Sequence, residues 1–245
     1  MSRDKGLDLL LHTPGGNIAA TESIVNYLHK MFGNNIRVII PQLAMSAGTM
    51  IACASKEIIM GKQSDIGPID PQFGGVSTHA VIEEFNRAIE EIKRDPKTIP
   101  IWQTIISKYH PTFIGECERA KTWASSMVKN WLKNIMLEND ADAETKAQKI
   151  VEELSDYRET KNHSRHIDAN EAEKLGLKIS RLEDDDDFQD TVLTIHHCFM
   201  HTFAQSNVCK IVENHEGKAI VTFASQSAIS PSVPANIIFQ ETIDK

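Results

Sequence analysis

Short apolar runs alternate with amphipathic stretches along the first quarter of the chain. "LDLLLH" is a compact apolar run ended by Pro14-Gly15-Gly16, the pattern of a buried strand entering a tight turn. In "NIAATESIVNYLHKMFGNN", Ile18, Ile24, Val25, Leu28, Met31 and Phe32 recur near helical spacing, and Gly33-Asn34 supplies a stop. "IRVIIP" is a second buried strand. The small residues from Ser46 to Ala54 suit a helix packed close to a sheet, and "KEIIMG" is a third strand. Strand, helix, strand, helix, strand in this order predicts a parallel, right-handed α/β layout.

Helical periodicity dominates the middle. "HAVIEEFNRAIEEIKRD" is amphipathic and stops before Pro96. "IPIWQTIISKYHP", "FIGECERAKTWASSMVKNWLKNIML" and "ETKAQKIVEELSDY" follow with the same period. "DANEAEKLGL" opens on an Asp168 cap, closes at Gly176 and runs into a strand, "LKISRL". The acidic run Glu183 to Asp187 reads as a solvated loop, because five adjacent carboxylates repel. The tail changes character: "FQDTVLTIHHCFMHTFAQS" predicts a helix, and "VCKIVENHEGKAIVTF" a hairpin turning at His215-Glu216-Gly217.

Composition narrows the classes. Apolar residues make up 41% of the 245, enough for a substantial core. A formal net charge of −8 argues against nucleic acid or an anionic membrane surface as partner, since either needs a basic face. Cys53, Cys117, Cys198 and Cys209 are widely spaced, with no C-x-x-C, which suits a reducing compartment. No apolar run reaches bilayer length and no signal peptide opens the chain. The reading is a cytoplasmic protein, with membrane association only through a missing N-terminal segment.

The candidate chemistry lies in two turns. Gly15-Gly16 ends one strand and opens a helix, and Ser46-Ala47-Gly48 does the same one unit later. Adjacent parallel strands bring both turns to one carboxyl edge. Backbone N–H groups of Gly15, Gly16 and Ala47 are then candidates for an oxyanion hole, with Ser46 beside them as nucleophile. The competing reading is that small residues there only permit close packing. A serine needs a base, and the residues leave it open: His12, His79, His110, His163, His166 and the tail histidines are all available. Lys93 and Lys97 offer a Ser–Lys dyad. The rigid loop "SDIGPIDPQFGG" carries Asp65 and Asp70, which either orient a base or cap turns. No G-x-G-x-x-G follows a strand, so no nucleotide cofactor is expected, and none is expected of any other kind, nor a metal.

"HTPGGN", "AMSAGTMIACASKEIIM" and "SDIGPIDPQ", in this order, closely resemble the serine dehydrogenase proteinase family. That family belongs to the Clp-protease/crotonase-like superfamily, with Clp peptidase and signal peptide peptidase A. The resemblance runs from about Leu7 to Leu177. It implies a repeated β-β-α spiral around a parallel sheet, here with its first unit truncated, since only "MSRDKG" precedes the strand that leads to the glycine turn. The domain reading is a peptidase domain over 1–187 and a helix-and-hairpin extension over 188–245.

By the same resemblance Ser46 is the nucleophile, and Gly15, Gly16 and Ala47 form the oxyanion hole. The family is described with the order Ser, Asp, His, which implies Asp70 as orienting partner and His163 as base. His166 is the alternative histidine. Lys97 and Lys93, at roughly suitable downstream distances, are the alternatives by likeness to signal peptide peptidase A. The implied function is ATP-independent hydrolysis of peptides or proteins by a homo-oligomer, a trimer or hexamer. A catalytically inactive scaffold of the same fold and a crotonase-type acyl-thioester enzyme are the competing readings.

Overall fold

The computed structural model describes residues 3–155 and 165–224. The described residues divide between Val192 and Leu193 into two compact units.

The first unit is a mixed α/β structure built on a four-stranded parallel sheet. Its strands are β1 (Leu7–Leu10), β2 (Ile36–Ile40), β4 (Glu57–Met60) and β9 (Ile179–Arg181), in the order β1-β2-β4-β9. Register is continuous across it, with Leu9 opposite Val38, Val38 opposite Ile58, and Ile58 opposite Ile179. Val38, Ile40, Ile58 and Met60 have no exposed surface and form the floor of the core. Such near-continuous apolar strands are what a buried parallel sheet requires.

A second sheet was not evident from the apolar pattern. "IRVIIPQLA" reads as one run, but proline cannot donate to a ladder, and the run divides at Pro41 into β2 and β3 (Leu43–Ala44). β3 pairs in parallel with β5 (Asp65–Ile66), which pairs antiparallel with β8 (Ile167–Asp168). Thr13 joins β3 through a bridge to Ala44. Thus β1, β2 and β4 are each followed, before the chain turns, by a short extended segment in the second sheet. Ser64, fully buried, fixes the last crossing by accepting from Gly61 N–H (2.8 Å) and donating to the Ile40 carbonyl (2.5 Å).

The helices follow the predicted periods. α1 is Ile18–Phe32, α2 is Ala47–Cys53, α3 is Thr78–Arg94, and α4 is Ile99–Ile106. α5 (Phe113–Trp131) ends in a π turn over Leu132–Met136 rather than continuing as one helix. α6 is Ala143–Ser155, and α7 (Ala169–Leu175) carries the expected caps: Asp168 accepts from Asn170 and Glu171 N–H, and Gly176 adopts φ 105°. Between β5 and α3 lies a small hairpin, β6 (Gln72–Phe73) and β7 (Val76–Ser77).

The acidic run is not a loop, which corrects the sequence reading. Leu182–Asp184 form a 3-10 turn, and α8 begins at Asp186 and runs to Gln205. Asp185 caps that helix by accepting from Phe188 N–H at 3.0 Å, and Asp186 and Asp187 lie in its first turn. Carboxylates are favourable at a helix start, where unpaired N–H groups point outward, so their repulsion is offset.

In the second unit, β10 (Val208–Glu213) and β11 (Ala219–Phe223) form the expected antiparallel hairpin. No described helix is long and apolar enough to cross a membrane.

Candidate functional site

The two glycine-containing turns meet. Thr13 N–H donates to the Leu43 carbonyl (2.9 Å), and Met45 N–H to the Thr13 carbonyl (3.0 Å), so the segment entering the glycine turn is zipped to the segment entering Ser46. A Cβ on Gly15 would fall 3.2 Å from the Cβ of Ser46, and one on Gly16 would fall 3.7 Å from the Cβ of Ala47. Gly15 has φ 129°, a conformation L side chains rarely adopt. Glycine is therefore required at 15 twice over, by its backbone and by its neighbour.

Ser46 occupies the link between β3 and α2 with φ 51° and ψ −110°. It is the one non-glycine residue with positive φ among the described residues. These angles are close to those of the first central residue of a type II′ turn, a position that favours glycine. A serine held there stores strain of about 1–3 kcal/mol, which the surrounding structure must over-determine. Thr49, fully buried in α2, does part of this. Its hydroxyl donates to the Ala44 carbonyl (2.8 Å) and accepts from Gly67 N–H (3.0 Å). Strained serines at a strand-to-helix turn present their hydroxyl outward, as nucleophile elbows do.

Ser46 opens onto a cleft of about 490 Å³. It is lined by the glycine turn and the start of α1, by Met50 and Ile69, by Pro71 and residues of the hairpin that follows it, and by Ala120 and Trp123 of α5. Neither α1 nor α2 has an acidic residue in its first turn, so the positive ends of both helices remain uncompensated toward the cleft. Gly15 N–H is engaged by Thr13 Oγ1 at 3.2 Å. Gly16 and Ala47, at the starts of α1 and α2, are the donors best placed by position. Cys53 does not compete as a nucleophile, because full burial pushes its thiol up to about 12.

The remaining expected residues are distributed unevenly. Asp70 is buried, with only 4% exposed. Ile69 and Pro71 on either side of it line the cleft, but Asp70 does not. Its Oδ1 accepts from Thr78 Oγ1 at 3.0 Å, and its buried Oδ2 has no hydrogen-bond partner among the described residues. Together with burial, which is the larger cause, and Glu116, Asp70 raises the Cys117 thiol.

His166 is exposed, and its Nδ1 lies 2.8 Å from Asp65 Oδ2. Met45 packs over Gly67, where its side chain would meet a Cβ. Lys93 is an exposed ion partner of Glu90 (2.8 Å), and Lys97 lies in the turn after α3. Lys93 sits in the last turn of the 17-residue α3, about 22 Å along the axis from Thr78 at its start. His163 lies outside the described residues, although the chain on either side of 156–164 is anchored nearby. Ile69 N–H donates to the Leu154 carbonyl (3.0 Å), and the Arg165 carbonyl lies 3.6 Å from where a Gly67 Cβ would stand. No described side chain hydrogen-bonds the Ser46 hydroxyl.

Sequence reasoning named His79 but not the polar cluster it forms with Glu83 of α3 and Lys121 of α5. His79 Nδ1 lies 3.0 Å from Lys121 Nζ, and its Nε2 lies 3.6 Å from Glu83. The i, i+4 spacing of His79 and Glu83 was the available signal. Among the described residues no group of three or more His, Cys, Asp or Glu is arranged to hold a metal ion.

A family model described as ClpP-like SDH-type serine proteinase matches residues 1–187. Two curated proteins of Methanocaldococcus jannaschii are similar. The uncharacterized protein MJ0137 is 33% identical over 177 residues, covering 72% of this chain and 54% of that protein. The uncharacterized protein MJ1495 is 43% identical over 89 residues, covering 36% of this chain and 30% of that one. The chain thus spans about half the length of the first relative and under a third of the second. No solved structure matches.

Proposed function

This chain belongs to the ClpP-like SDH-type serine proteinase family, and from that premise we propose that it is an ATP-independent serine peptidase acting through an acyl-enzyme on Ser46. One observation carries the reading: the Gly15-Gly16 turn lies directly against a serine held in a strained turn at the start of α2. In the proposed cycle the Ser46 hydroxyl attacks a peptide carbonyl and gives up its proton to a base. The carbonyl oxygen, now an anion, is held by N–H groups of Gly16 and Ala47, with Gly15 fixing the turn. The base returns the proton to the leaving amine, and water then hydrolyses the ester by the same route.

His163 is the proposed base and Asp70 its orienting partner, with His166, Lys97 and Lys93 as the alternatives. The buried, half-partnered carboxylate of Asp70 is what supports its part in this assignment. The catalytic domain is 1–187, a repeated β-β-α spiral, and 188–245 is an extension. The working form is a cytoplasmic homo-oligomer. A fluorophosphonate probe tests the reading: it should label the wild type and not Ser46→Ala. Absence of labelling in a protein shown to be folded would overturn it. A shift in the pH dependence of labelling for His163→Ala, matched by Asp70→Asn, would identify the base and its partner.

A second reading, an inactive Clp-fold scaffold, is favoured by the missing hydrogen bond to Ser46 among the described residues. It predicts no labelling, and biological function intact in Ser46→Ala. A crotonase-type acyl-thioester enzyme ranks third, since such chemistry has no use for a serine beside the hole.

A further inference from the structure

The cleft beside Ser46 has no ionisable side chain among its described lining residues. Ile18, Met50 and Ile69 face it from the α/β body, Trp123 from α5, and Phe73 from the small hairpin. A charged group buried there would meet no counter-charge, which is costly.

Phe73 differs from the rest of this lining in how it is held. It ends β6 and is followed by Gly74 and Gly75, with φ 58° and 82°. Two positive values in a two-residue loop are those of a type I′ turn. A Cβ on either glycine would meet nothing within 4 Å, so the tip stands clear of the body. The base of the hairpin is clamped. Thr78 N–H donates to the Pro71 carbonyl (2.9 Å) and Thr78 Oγ1 to Asp70 (3.0 Å). The Phe73 ring is braced from outside the cleft. It lies edge-on to Phe113 at 5.9 Å, and Phe113 stacks on Tyr109 at 5.4 Å. Tyr109 in turn meets Phe85 of α3 edge-on at 5.7 Å. Phe73 nevertheless remains 38% exposed.

We infer that Phe73 is a specificity-determining residue. The hairpin holds its ring as one wall of an apolar subsite, and the aromatic ladder fixes how far that wall reaches. The subsite takes an uncharged apolar side chain of a peptide and limits its size. Phe113, which does not line the cleft, acts through Phe73 as a positioning residue. The inference rests on the reading of this cleft as the peptide site, but it does not depend on turnover.

The test uses the full chain carrying Ser46→Ala, so that no cleavage occurs. Blocked tripeptide amides ending in leucine, naphthylalanine, lysine or glutamate are titrated, and binding is followed by tryptophan fluorescence. Trp123→Phe identifies the cleft signal. Leucine should bind at least about tenfold more tightly than lysine or glutamate, the scale on which apolar pockets discriminate. Phe73→Ala should move the naphthylalanine-to-leucine ratio by about tenfold toward the larger group. Phe113→Ala should move it in the same direction by less, with Phe113→Leu restoring it. Should Phe73→Ala fail to fold by circular dichroism, Phe73→Leu must shift the ratio the same way. An unchanged ratio, equal binding of charged peptides, or no binding by any peptide overturns the inference. Loss of fluorophosphonate labelling in the wild type would overturn the peptidase reading and leave this binding series intact, so the two failures are separable.

Discussion

Gly15 leaves the space beside Ser46 that a side chain would take: a Cβ on Gly15 would stand 3.2 Å from Ser46 Cβ and 3.7 Å from its hydroxyl. Gly15→Ala must therefore displace the serine and also adopt φ 129°. The expected cost is about 1–3 kcal/mol from the backbone alone. Urea unfolding should show it, and labelling of Ser46 should fall together with stability.

Ser46→Gly separates strain from chemistry. Glycine relieves a turn position worth about 1–3 kcal/mol and adds about 0.5–1 kcal/mol of unfolded-state entropy. Relief is the larger quantity, so Ser46→Gly should be more stable than wild type by about 1 kcal/mol, while Ser46→Ala, which keeps the strained φ, should not. Neither should be labelled. The comparison of urea midpoints checks it, and equal midpoints for the two variants would argue that the turn is unstrained.

Thr49 ties the Ser46 turn to the loop that follows β5. Thr49→Val preserves shape but leaves the Ala44 carbonyl and the Gly67 N–H without their partner in a fully buried place. A loss of about 1–3 kcal/mol is expected, with Thr49→Ser much milder. Because these bonds position Ser46, labelling should slow in Thr49→Val even at temperatures where the protein remains folded.

Glu144 makes a pH-dependent contribution. Hydrogen bonds from Lys129 and Lys133, each at 2.7 Å, lower its pKa from the ordinary 4.5 to about 2. A depressed carboxylate stabilises the fold above its unfolded pKa and loses that contribution as pH falls through its folded pKa. The difference in melting temperature between wild type and Glu144→Gln should therefore be full above about pH 5, and should vanish between there and about pH 2. The site is exposed, so the difference should be small and should shrink in high salt.

The long elements were legible because their burial follows a period. α1, α3 and α6 carry apolar residues at helical spacing, and β1, β2 and β4 are short, mainly apolar runs, each with a single charged residue. The meeting of Gly15 with Ser46 was legible too, since two strand–turn–helix units in succession bring their turns to one edge. The two-residue strands of the second sheet are too short to show any period. The Gly74-Gly75 turn was visible as glycines, but not as a hairpin carrying Phe73. Lys93 and Lys97 were chosen by their distance along the chain, which says nothing of their distance from Ser46 in space; Lys93 lies in the last turn of α3. Whether a side chain reaches Ser46 depends on packing between distant segments, and no local pattern encodes that.

The second sheet also governs when the site comes into being. Its β8 strand closes against β5 across a sequence separation of about 100 residues, as the Asp65–His166 contact shows. β9 likewise completes the main sheet beside β4 only after that point in the chain. Contacts of such range form late, because loop-closure entropy must be overcome before they contribute any stability. On a ribosome, β3, Ser46 and the glycine turn emerge long before β8 and β9 can dock. β5, which leads into Gly67 and its bond to Thr49, gains its second neighbour only when β8 arrives. The order of the strands along the chain thus makes the surroundings of Ser46 among the last parts of the sheet to be completed.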